Sequence, residues 1–94
     1  MRIVLNSRGH DMVSQVCIYD LHTRLIKSGI DATINDWDNY VDYDIAVFLG
    51  TDHDIENARK HNSKISIGLA DPKLSKKEYI QAAIDADFLI VSSI

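Results

Sequence analysis

Ser7-Arg8-Gly9-His10-Asp11 is the first run of this 94-residue chain whose residue types could do chemistry together. It follows a short apolar run and leads into a helix-length segment. Exposed backbone N–H groups and the positive end of that helix could hold an anion there, and Arg8 could add a two-pronged grip on phosphate or carboxylate. The same residues also make an ordinary turn, with Gly9 bending the chain, Asp11 capping the helix, and Arg8 and His10 in water. One glycine is fewer than the loops that bring a backbone against pyrophosphate contain. Asp71-Pro72 is a second candidate, as an acid for a sugar hydroxyl or as a plain turn. Asp52-His53-Asp54, with the distant His10 and His61, has metal-ligand residue types without metal-binding spacing, so no metal is assigned. His22, inside a helical pattern, reads as a surface residue. Ser92 and Ser93 lack the flanking glycines of a nucleophile elbow, and no P-loop sequence occurs, so no catalytic residue is assigned.

The elements that must position these residues are legible as five apolar runs: Ile3 to Leu5, Ala32 to Ile34, Ile45 to Leu49, Ile65 to Leu69 and Phe88 to Val91. Helix-length segments separate most of them, which argues for βαβ units and a parallel sheet. From Met12 to Ser28, apolar residues at Val13, Val16, Cys17, Leu21 and Leu25 give an amphipathic helix ending at Gly29. Asn35 to Asp44 is rich in Asp and Asn around Trp37 and Tyr40, a turn composition with room for one short helical turn. Thr51 is placed to cap a short helix through about His61, and Ser75-Lys76-Lys77-Glu78 is a capping box for a helix with Tyr79, Ile80, Ala83 and Ile84 on its apolar face. The expected fold is α/β: a Rossmann-like, parallel, five-stranded sheet of order 3-2-1-4-5, with helices on both faces and the last covering helix missing. The sheet then reverses between strands one and four, which places a ligand site at the loops Asn6 to Asp11 and Ala70 to Pro72.

Composition narrows the function classes. The chain is 46% hydrophobic and 26% charged with a net charge of -4, which suits one folded domain and argues against a nucleic-acid partner, since that demands a basic face. Cys17, the single cysteine, is read as a small packed hydrophobe in a reducing cytoplasm. No segment approaches the roughly 20 apolar residues of a membrane span, and the first apolar run is too short for a signal-peptide core.

Three segments together resemble one family: Met1-Arg2-Ile3-Val4-Leu5-Asn6-Ser7, Ile67-Gly68-Leu69-Ala70-Asp71-Pro72-Lys73, and Ala86 through Ser93. They are similar to the amino-terminal, acceptor-side domain of a retaining GT-B glycosyltransferase. The resemblance implies that Ser7, Arg8, Gly9 and His10 line a cleft near the acceptor or donor phosphates and that Asp71 and Ser92 face a glycan or other hydroxyl acceptor. It implies a nucleotide-sugar donor held by a second, carboxyl-terminal donor-binding domain, with residues 1–94 as a truncated first domain that is inactive alone and needs no cofactor of its own. The family's paired glycines are reduced here to Gly9. A receiver-type regulatory domain shares the alternation of strands and helices. Where receivers have an acidic pair after strand one, a phosphorylatable Asp ending strand three and a Lys after strand five, this chain has Asn6-Ser7, Gly50-Thr51-Asp52 and Ser92-Ser93. A cobalamin-binding module is suggested by Gly9-His10-Asp11, although Arg8 and Val13 stand where that family has Asp and Gly. The remaining alternative is a non-enzymatic interaction module that self-associates through an uncovered last strand.

Overall fold

A computed structural model of the chain describes residues 1–8, 12–49, 53–70 and 84–90. The apolar runs become strands β1 (Arg2–Ser7), β2 (Asp31–Ile34), β3 (Ile45–Leu49), β4 (Ser66–Ala70) and β5 (Phe88–Ile90). Between them lie helices α1 (Met12–Lys27) and α2 (Ile55–His61) and a single 3-10 turn at Tyr40–Asp42. All the strand pairs are parallel. Four strands in the order β2-β1-β3-β4 carry the sheet, and the three residues of β5 pair beside β4 at its edge.

This order replaces the expected 3-2-1-4-5. Val4 of β1 is aligned with Thr33 of β2 on one side and with Ala46 of β3 on the other. The connection after Ile34 does not continue outward past β2. It crosses the carboxyl end of β1 and descends the opposite face of the sheet to enter β3. The reversal therefore falls between β1 and β3, and β3 stands between the two loops expected to share a site.

Both faces of the sheet are apolar, as fully covered parallel strands require. On one face Val4, Ala46, Phe48, Ile67 and Leu69 pack with Tyr40, Tyr43, Ile55 and Ala58 from the connection and α2. On the other, Ile3, Leu5, Val47 and Leu49 pack with Ile18 of α1, flanked by Leu21 and Leu25. Burying each such side chain is worth about 1.5–3 kcal/mol. The packed face of α1 is thus the row Ile18, Leu21, Leu25. At about 100° per residue, Val16 lies on the opposite side and is 61% exposed, and Cys17 is exposed as well, a correction to the expectation that both are packed. Helix α1 ends as its glycine predicts: Gly29 has φ +82, the Ile30 N–H donates to the Leu25 carbonyl, and the Gly29 N–H donates to the Ile26 carbonyl. These two bonds satisfy carbonyls that the helix end leaves open.

Helix α2 ends at His61 as expected and follows Asp54, while Thr51 and the Ser75 capping box lie outside the described residues. Gly68 of β4 lies in register with Val47 and Phe88. A Cβ built on Gly68 would collide with the Phe88 ring, so the absent side chain makes room for it. Among the described residues no helix is long and apolar enough to cross a membrane.

Candidate functional site

Ligands in open α/β sheets bind outside the carboxyl ends of the strands where the sheet order reverses. Here that place is the end of β1 beside the end of β3, with Ser7 aligned with Leu49 and Asn6 with Phe48. The loop after β2 is bolted across it by two asparagines. Asn35 has φ 56, a left-handed conformation that Asn tolerates better than most residues. Its backbone leaves the ladder there, and its side-chain Oδ1 accepts the Ser7 N–H at 2.8 Å. Asn6, fully buried, accepts the Asp36 N–H on Oδ1 at 3.0 Å and donates from Nδ2 to the Asp36 carbonyl at 3.4 Å. Both asparagine side chains extend the hydrogen-bond ladder past the end of β1.

The fixed loop projects Trp37 onto the core, where its ring lies 5.7 Å from that of the buried Phe48. The guanidinium of the exposed Arg8 lies over the Trp37 ring, 3.9 Å from its centroid. Such a contact is worth about 0.5–1 kcal/mol at an exposed position.

The acidic residues of this rim are engaged with neutral donors. Tyr43 donates to Asp36 at 2.5 Å and Asn39 to the same carboxylate at 3.2 Å. Asn57 donates to Asp38 at 2.6 Å and to Asp54 at 3.0 Å, and Tyr40 donates to Asp54 at 2.8 Å. Burial, and then the hydrogen bond to Asp54, push the Tyr40 hydroxyl well above the usual phenol range, and burial with the hydrogen bond to Asp36 raises that of Tyr43. They remain neutral donors across the physiological range. Among the described residues no group of three or more His, Cys, Asp and Glu is placed to hold a metal ion.

Of the residues singled out in the sequence, Ser7 is buried at the end of β1 with its N–H given to Asn35, and Arg8 stands on Trp37. Gly9, His10, Asp71 and Ser92 lie outside the described residues. His22 is half-buried, with Nε2 3.0 Å from the Ala32 carbonyl. The sequence places Asn6 in the expected ligand loop without giving it a role, and gives Trp37 and Asn35 no place in the site. The signal available was the position of Asn6 at the end of an apolar run and of Trp37 within a turn-rich segment.

The sequence matches no protein-family model and no curated protein. Solved structures do match. The non-phosphorylated HemR receiver domain from Leptospira biflexa has a TM-score of 0.64 and 10% identity over 100% of this chain and 84% of that one. This chain shares the fold of that receiver domain. A pilus assembly protein, CpaE, from Burkholderia thailandensis gives 0.61 with 15% identity over 97% of this chain and 84% of that one. RcsB from Salmonella enterica serovar Typhimurium, solved bound to the promoter rprA, gives 0.62 with 8% identity over 100% of this chain and 61% of that one.

The receiver fold of these neighbours overturns the glycosyltransferase resemblance, and with it the nucleotide sugar, and leaves the hydroxyl acceptor and the missing donor domain without support. The segments that carried that resemblance are a strand with its loop and two further strand ends, pieces shared by many α/β sheets. Strand order is what separates the two architectures. Asn6-Ser7, which the sequence sets against the acidic pair of receivers, ends β1. Leu49, 6% exposed, ends β3, and Asp52 and Ser92-Ser93 lie outside the described residues.

Proposed function

We propose that this chain is a receiver-like regulatory module that responds by binding at the carboxyl end of β1 and β3, without cation-dependent phosphorylation of an aspartate. The observation that carries this reading is Asn6. Transfer of a phosphoryl group to a carboxylate relies on positioning and on a divalent cation that neutralises developing charge. Such a cation takes carboxylate ligands. At the end of β1 this chain offers a neutral amide whose oxygen and nitrogen are both committed to the backbone of Asp36. The phosphorylatable Asp of receivers has Asp52 as its nearest counterpart in sequence. On this reading Arg8, at the end of β1, is the described residue that a ligand meets, while Gly9, His10, Asp71 and Ser92 lie outside the described residues.

Intact-mass measurement after incubation with a small phosphodonor and magnesium tests this directly. The expected spectrum shows the unmodified chain. A magnesium-dependent adduct of one phosphoryl group that disappears in Asp52→Asn overturns the proposal and restores ordinary receiver chemistry.

A further inference from the structure

We infer that the Arg8–Trp37 pair is a latch that a tetrahedral oxyanion releases at the carboxyl end of β1. The inference rests on the proposed function only in taking this end of the sheet as the ligand end. Arg8 carries five N–H donors, yet its partner is a ring face, which accepts none of them along the guanidinium plane. Among the described residues no carboxylate or carbonyl accepts from its guanidinium. The carboxylates of the neighbouring loop, Asp36, Asp38 and Asp54, accept from Tyr43, Asn39, Asn57 and Tyr40, and none of the three forms an ion pair with Arg8. Among the described residues the partner of this cation is thus the Trp37 ring, a weak one.

A phosphate group offers two oxygens in the spacing of the guanidinium fork, a stronger partner than a ring face. When the two partners separate, Arg8 moves and Trp37 stays. The Trp37 backbone sits between Asp36, held by Asn6, and Asp38, whose carboxylate accepts from Asn57, and its ring rests on Phe48. Arg8 is exposed and follows the last residue of β1. Anion binding by Arg8 is therefore reported at one indole ring, which loses its cation.

Trp37 is the only tryptophan of the chain, so its fluorescence reads the latch without a label. Inorganic phosphate is titrated at constant ionic strength against chloride, with methyl phosphate and acetate in parallel arms. The expected result is a saturable change in Trp37 emission with phosphate, repeated with methyl phosphate if an esterified group is accepted. The change disappears in Arg8→Gln, and Arg8→Lys shows a weaker response. An unchanged melting temperature for Arg8→Gln verifies that the variant folds. No emission change in the wild type, a phosphate response that persists in Arg8→Gln, or a response to acetate alone overturns the latch. Each of these results is independent of the mass measurement on Asp52, so failure of the latch and failure of the proposed function are told apart.

Discussion

Asn6 holds the loop after β2 with both ends of one amide, and that dual use is what a carboxylate of the same shape cannot reproduce. Asn6→Asp keeps the acceptor for the Asp36 N–H but sets a second oxygen against the Asp36 carbonyl. Because the site is fully buried, the variant is expected to lose about 1–3 kcal/mol of stability, measured as a lower urea midpoint at unchanged slope. The titratable residues make a separate prediction. Asp87 lies below its ordinary value of 3.8, first because its carboxylate accepts the Ile67 N–H at 2.7 Å and then because Arg59 pairs with it at 2.9 Å. A depressed carboxylate contributes stability that is present above its unfolded value and is lost as pH falls through the folded one. Melting temperature against pH should therefore drop less steeply on the acid side, below about pH 4, in Asp87→Asn than in the wild type. At the alkaline end the sign reverses. The raised hydroxyls of Tyr40 and Tyr43 stabilise the fold fully below about pH 10, and that contribution falls as pH rises beyond it.

Helix α1 and strand β4 show where periodicity was readable and where it was ambiguous. Both Val16, Cys17 and Ile18, Leu21, Leu25 fit helical spacing, since α1 carries apolar residues on two sides. The face that packs is the one that meets Ile3, Leu5, Val47 and Leu49, a fact of docking that the helix alone does not contain. Cys17→Ser is therefore expected to change stability by less than about 0.5 kcal/mol, while Ile18→Ala costs about 2–5 kcal/mol. Native Cys17 should also react with a thiol reagent without prior unfolding. In β4 the informative residue is Gly68, because the Phe88 ring occupies the space of its missing side chain. Gly68→Ala must displace that ring and is expected to cost about 1–3 kcal/mol, read as a lower melting temperature together with a shifted Phe88 ring resonance.

For the whole molecule, strand order is the property on which function turned, and hydrogen exchange measures it. The Asn35 N–H donates to the Leu5 carbonyl, so in this parallel ladder Thr33 turns its N–H toward β1 while those of Ala32 and Ile34 face the open edge. The expected pattern is fast exchange at Ala32 and Ile34, and slow exchange at Ala46 to Phe48 in the interior strand. The order 3-2-1-4-5 would protect Ala32 and Ile34 by pairing them with β3, and slow exchange there would refute the topology. By itself the sequence determined the α/β class, the places of the strand-forming runs, the glycine stop of α1 and the turn-rich character of Asn35 to Asp44. Each of these is a local consequence of periodicity, backbone freedom or turn chemistry. Only the tertiary structure decided on which side of β1 the third strand lies. Asn6 clamps Asp36, Asn35 caps Ser7 and Trp37 lands on Phe48, contacts between residues far apart in the chain that no local pattern encodes. That crossing moved the reversal of strand order from β1 and β4 to β1 and β3, and brought Arg8 and Trp37 together there.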